Sequence, residues 1–436
     1  MKRIFALMAI LAAAQLSAQE SLDWNIDSVF DDPLQETPAK EDAAAAPSQP
    51  RNAADNLLQR RGFTFTAGFL FQAGVAPGWL STPWSDGWNE SGFYLDRFIR
   101  MRVSFGLDAQ ISEVFRAKSS IYFEVPDFKP VLQDFFFDYK LYDTVFFRGG
   151  KYNLSWGISP NYKFTDLLSR VPDDESKRIK YANDPFIFKA DIPVGMGGVQ
   201  ALALTRINMI GNNADLPKRE DFGFGGKYNL ALSFVDLDAG IFYQEGMALR
   251  AFASAKTTLW KTELYNEWLG AMDVHEPHNF CGAFNVGFER ELFNKKFNVN
   301  GELFYNGEED TYWYQPETNV WEAGTHDFIE GFNIALNLLY RPWEKGNPRI
   351  FLRTLYAPKQ ESAQIIPGFR FSPWRHLEFY MAVPMALGRE DGYYATHTIT
   401  KTDRYNDDPG ARNKPIPFAV IFYVTLRGSV NFGHYY

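Results

Sequence analysis

The sequence predicts an all-β chain: a transmembrane antiparallel β-barrel of about eighteen strands, with sixteen as the alternative count. Three observations predict it. Long segments alternate apolar and polar residues with a period of two. An export-type segment precedes them. Short and long connectors between the strands follow a parity.

The alternation is plainest from Arg97 to Trp156. Ile99, Met101, Val103, Phe105, Leu107, Ala109 and Ile111 are separated by Arg100, Arg102, Ser104, Gly106, Asp108 and Gln110. After Ser112-Glu113 the pattern resumes with Phe115, Ala117, Ser119, Ile121, Phe123 and Val125 against Arg116, Lys118, Ser120, Tyr122 and Glu124. Successive side chains of a strand point to opposite faces, so one face is apolar and the other polar. Strands of about 13–15 residues exceed the usual ~5–6 of a soluble sheet. They suit tilted strands that cross a membrane and continue into its rims.

At the N-terminus, Lys2-Arg3 precedes the apolar run Ile4–Leu11 and small residues up to Ala18, the pattern of a cleaved signal peptide spanning 1–18. Residues 19–61 carry Asp23, Asp27, Asp31, Asp32, Glu36, Glu41 and Asp42 without periodicity, and read as a disordered acidic periplasmic leader. The barrel is expected over 62–436. No later stretch approaches ~18 apolar residues, so a membrane route must use strands.

Composition agrees. Aromatics make up 17 % of the 436 residues, enough for girdles at two interfaces, while the mean hydropathy of −0.29 reflects a water-facing half of each strand. A net charge of −9 argues against nucleic acid as a partner. The single cysteine, Cys281, permits no internal disulfide.

Eighteen strand segments follow from Gly62 onward, the last over Ile416–Asn431. Every even connector is short, such as Ser112-Glu113, Tyr142-Asp143 and Thr257-Thr258. The long ones, including Val75–Gly92, Gly157–Asn183 and Leu387–Pro415, fall at odd places. Short turns on one side and longer loops on the other are the habit of outer-membrane barrels.

The polar face of the first hairpins supplies the candidate pore lining: Arg100, Arg102, Arg116, Lys118, Glu124, Asp134, Asp138 and Lys140. Charge turned to lipid would cost ~2–4 kcal/mol at the midplane, so these side chains are expected inside. Rows of opposite charge across a narrow pore orient and filter solutes; a closed network of paired charges is the alternative. The facing of the strand Thr144–Trp156 stays open, because Arg148 interrupts its alternation.

Gly149-Gly150-Lys151-Tyr152, then Trp156-Gly157, Thr165-Asp166-Leu167-Leu168-Ser169 and Asp173-Asp174-Glu175 form a pattern of some thirty residues. It is similar to one in large bacterial outer-membrane porin-like proteins, spirochaetal ones among them. The resemblance implies a channel or an envelope-assembly barrel in the bacterial outer membrane. It also implies a last strand with a terminal aromatic that barrel-insertion machinery reads. In general porins the third outer loop folds inward. By that likeness Lys163, Asp166, Arg170, Asp173, Asp174, Glu175, Lys177 and Arg178 are candidates for the constriction.

Weaker motifs lead elsewhere. His275-Glu276-Pro277-His278 lacks a third metal ligand. Asp403, Asp407 and Asp408 do not have the spacing of a Ca²⁺ loop. Gly223–Gly226 lacks the Lys-Ser/Thr pair and the following helix of a phosphate loop, which leaves crowding within a strand. No cofactor, metal or enzymatic activity is expected. The function expected is passive diffusion of small hydrophilic solutes, with outer-membrane lipid as the other partner. The alternatives are a transporter of hydrophobic compounds, a surface-binding barrel carrying Trp79, Trp84, Trp88, Trp313, Tyr314 and Trp321, or an assembly barrel. The oligomeric state is left open.

Overall fold

A computed structural model of the chain describes residues 62–79, 93–125, 128–142, 144–152, 154, 156–162, 171–172, 179–180, 186–205, 222–244, 249–272, 274, 280–307, 331–343, 347–389, 394, 400–401, 414–415 and 418–435. The predicted signal peptide and acidic leader, all eight constriction candidates, the His275–His278 motif and the Asp403–Asp408 group lie outside the described residues. So do Trp84, Trp88, Trp313, Tyr314 and Trp321, and nothing is described of the Trp79 side chain.

Eighteen antiparallel strands close into one transmembrane barrel. They are β1 (Gly62–Trp79), β2 (Phe93–Gln110), β3 (Phe115–Val125), β4 (Lys129–Leu141), β5 (Val145–Lys151), β6 (Phe186–Val194), β7 (Gly197–Thr205), β8 (Phe222–Ala231) and β9 (Asp236–Gln244). The second half holds β10 (Leu249–Leu259), β11 (Thr262–Met272), β12 (Phe280–Leu292), β13 (Phe297–Asn306), β14 (Gly331–Tyr340), β15 (Arg349–Ala357) and β16 (Ser362–Trp374). In β17 (Leu377–Ala382 and Met385–Gly388) Pro384 interrupts the ladder, and β18 (Phe418–Ala419 and Ile421–Tyr435) is interrupted at Val420. Each strand pairs with its sequence neighbour. β18 then returns to β1 in a register from Gly62↔Tyr435 to Val75↔Phe422, which removes the edges that hydrocarbon would not tolerate.

The register fixes the two faces. Phe65 lies opposite Leu107 and Phe69 opposite the half-buried Val103; Phe65, Phe69 and Leu107, with Phe137, Phe188, Trp268, Leu336 and Phe422, belong to the exposed apolar exterior. Arg102 lies opposite Glu124, Asp108 opposite Lys118, and Arg116 opposite Asp138, all on the interior. A bulge between Ser120 and Ile121 skips Gln133 and keeps Asp134 and Asp138 inside.

At the short-turn end several connectors are minimal. Trp260 and Lys261, with φ of 50° and 64°, link Leu259 to Thr262, the geometry of a two-residue hairpin whose twist matches the strands. Tyr142 and Phe293 also adopt positive φ, and all three aromatic tips are strongly exposed.

β5 corrects the sequence-based boundary. The strand ends at Lys151, not Trp156. Gly150 has φ of 137°, and a Cβ there would lie 2.1 Å from the Phe135 carbonyl oxygen, so only glycine allows this close passage of the wall. The facing left open for this strand is now assigned: Arg148 lies opposite Asp138 on the interior and Phe147 is exposed outside.

Candidate functional site

The interior holds two differing walls. On one, a belt of arginines spans six adjacent strands: Arg370 on β16, Glu378 on β17, Arg427 on β18, then Arg100 and Arg102 on β2 and Glu124 on β3, with Leu70 of β1 between Arg427 and Arg102 in register. Arg370 and Arg427 share Glu378 at 2.8 and 3.8 Å, and Arg100 and Arg102 share Glu124 at 3.3 and 2.9 Å. Each carboxylate thus serves two guanidiniums.

Toward the short-turn end the pairing is one to one. Lys118 meets Asp134 at 3.1 Å, Arg148 meets Asp138 at 2.6 Å, Lys189 meets Asp191 at 2.7 Å and Lys227 meets Asp238 at 3.2 Å. Arg116 binds Asp108 through two contacts, one of 2.7 Å. The Lys140 ammonium sits 5.8 Å from the centre of the Phe146 ring. Together with Gln110, Asn229 and Pro193, several of these groups line a concavity of about 280 Å³. All eight pore-lining candidates therefore share the inner face, and among them the acids and bases are largely paired. Arg370, Arg427 and Glu378 belong to the same belt but were not singled out in the sequence.

The opposite wall is covered. After Lys151 the chain turns into the lumen, and the described residues between Tyr152 and Tyr162 form a strap along β7 to β15. Trp156, 2 % exposed, donates from Nε1 to Gln200 Oε1 at 2.7 Å and packs on Phe242 and Phe252. Its ring tip needs the space left at Gly225, where a Cβ would lie 2.9 Å away. At Gly223 a Cβ would stand 2.7 Å from the Phe242 ring, so the glycine-rich stretch is a floor for the strap anchor.

Beyond Trp156 the strap is held by carboxylates. The Ile158 amide donates to Glu267 Oε1 at 2.6 Å. Glu302 accepts from Ser159 Oγ at 2.9 Å, the Asn161 amide at 3.2 Å, Tyr265 OH at 2.8 Å and Asn285 Nδ2 at 3.3 Å. Asn161 Nδ2 donates to Asn300 Oδ1, its own Oδ1 accepts from Asn337, and Tyr162 stacks on Phe304 with centroids 4.8 Å apart. Glu267 is fully buried and Glu302 only 4 % exposed. Burying such charges is costly unless their lone pairs are filled, and the strap's amide and hydroxyl donors help fill them.

The far end of the strap meets Tyr394, from the connector between β17 and β18. Burial pushes the Tyr394 phenol up to about 12 and holds Tyr162 well above its ordinary 10. Both folded values are raised, so the seat's contribution is complete below pH 10 and fades as pH climbs through about 12. Ultraviolet difference spectra should therefore show a late tyrosinate step that coincides with loosening of the strap.

No protein-family model matches the sequence, and no curated protein does. Among solved structures, Pseudomonas aeruginosa OpdO aligns with a TM-score of 0.51 at 10 % identity, over 85 % of this chain and 97 % of that one. OpdQ of the same organism gives 0.51 at 6 % identity, over 85 % and 98 %. Pseudomonas aeruginosa OccK11 (OpdR) gives 0.51 at 9 %, over 86 % and 99 %. At such identities the likeness establishes a shared fold: this chain is a closed barrel of the same architecture.

Proposed function

We propose that the chain is an outer-membrane, porin-like channel through which small hydrophilic solutes diffuse passively. One observation carries this: a charged inner wall faces an inward strap inside a barrel whose exterior is apolar. Residues 1–18 direct export, 19–61 remain in the periplasm, and the short-turn end faces that compartment. The last strand is the segment read by the insertion machinery. Arg100, Arg102, Arg116, Lys118, Glu124, Asp134, Asp138 and Lys140 line the path. Lys163, Asp166, Arg170, Asp173, Asp174, Glu175, Lys177 and Arg178 remain the candidates for the constriction in this proposal.

Purified protein in planar bilayers is expected to give discrete conductance steps; a protein that inserts yet stays silent refutes the channel. Two arginines per carboxylate leave positive charge on the belt, so the current should favour anions. Reversal potentials in a salt gradient should move toward cation preference when Arg100→Glu and Arg102→Glu are combined. An unchanged potential would remove this pair from the path.

A further inference from the structure

Toward the short-turn end, one inward position departs from the charged pattern. Phe146 of β5 lies opposite Lys140 on β4 and Asp191 on β6, so its half-buried ring shares the inner face with them. Beside it the wall is hollowed. Pro193, Gly198 and Asn229 form one register row across β6, β7 and β8, and Gly198 adds no side chain to it. Phe146 and this row line the concavity of about 280 Å³. Small-molecule sites run from ~300 to 1,000 Å³, so this one admits a single small ring. The charges around it cancel. Arg148 with Asp138 and Lys189 with Asp191 are joined at 2.6 and 2.7 Å, and Arg116 with Asp108 through two contacts. An ionic or zwitterionic occupant would have to separate these pairs. Hydrogen-bonding capacity remains nonetheless. Asp191 accepts from Lys189 and Gln200, and a carboxylate has about four lone-pair sites. Arg148 commits two N–H donors of about five to Asp138. Both side chains stay partly exposed.

We propose that this hollow is a subsite for one neutral monosaccharide ring, with Phe146 as its platform and Asp191, Arg148 and Asn229 as partners of its hydroxyls. The inference rests on the channel reading, which puts the hollow on the solute path, and it names a substrate class for that path. A pyranose presents C–H groups on its faces and hydroxyls around its edge. The C–H groups suit the negative face of an aromatic ring. Each hydroxyl both donates and accepts, so it can accept from Arg148 and donate to Asp191 without parting either from its ionic partner. The exposed carboxamide of Asn229, across Gly198, supplies a further donor and acceptor.

The test is saturation-transfer difference NMR of glucose with the purified full chain, in a deuterated detergent that has no sugar headgroup. It needs no conductance: a conducting protein that ignores glucose sinks this inference alone, and a silent one that binds glucose sinks the channel alone. The expected result is saturable transfer, strongest to the C–H protons of one face of the sugar. Phe146→Leu keeps apolar bulk without a flat face and should weaken binding about tenfold, whereas Phe146→Tyr should bind as wild type does. Asn229→Ala, at an exposed position, should weaken it about threefold. Phe234→Ala, which removes a ring 71 % exposed on the β8–β9 turn, should leave binding intact. Heat-modifiable gel migration checks that each variant is folded. Neither glycine nor chloride should displace the glucose. Wild-type protein without saturable transfer, Phe146→Leu protein that binds as wild type does, or displacement of glucose by glycine at equal concentration would each overturn the proposal.

Discussion

Glu302→Gln is expected to release the strap, raising single-channel conductance and lowering stability by about 3 kcal/mol, the loss of one or two charge-assisted hydrogen bonds. The carboxylate accepts four donors from two sides: Ser159 and Asn161 on the strap, Tyr265 and Asn285 on the wall. A carboxamide keeps the shape but offers one oxygen, and its NH₂ confronts groups that also donate. Trp156→Ala should act in the same direction from the other anchor, since truncating a buried tryptophan costs ~3–5 kcal/mol. The two anchors hold one segment, so the double variant should fall short of the sum of the single effects. Conductance equal to wild type in both variants would show that the strap does not limit flow.

The second large effect is expected outside. Leu336 sits midway along β14 and is exposed on the apolar face, opposite Gly301 and Thr354. Leu336→Arg should destabilise the barrel by ~2–4 kcal/mol and reduce its assembly into lipid vesicles. Asn298→Arg, on the inner face of β13 beside Glu289, should assemble normally. Similar folding yields for the two would contradict the assigned facing of these strands.

The strands were legible because the barrel imposes the same demand on most of them: apolar outward, polar inward. Connector parity placed the hairpins, and eighteen strands are found. Boundaries were less clear. β1 runs to Trp79 rather than Gly74, since residues beyond the lipid still pair with β2. The inward strap was foreseen as a loop, but its first anchors were assigned to a strand because Tyr152 and Trp156 continue an apolar rhythm. Its carboxylate seat was missed. In the sequence, Glu267 and Glu302 are ordinary inward polar positions, and their burial depends on contacts more than a hundred residues away. A signal was present nonetheless. Phe186-Ile187-Phe188 and Ala201–Leu204 are apolar on both faces, which a strand between lipid and water does not require. Ile187, Leu202 and Leu204 are buried inside, in the cluster that holds Trp156. Double-sided apolar stretches in such a barrel mark where the lumen is filled.

The aromatic turn tips have a mechanical consequence. Tyr142, Trp260 and Phe293 adopt positive φ, a conformation that disfavours bulky side chains, and they stand exposed at one rim. Aromatic rings settle at the boundary between headgroups and acyl chains. Held on tight turns rather than long loops, they act as fixed keels, setting the height at which the barrel rides. A bilayer of mismatched thickness must deform around that rim, because the turns are too short to let the rings follow the lipid.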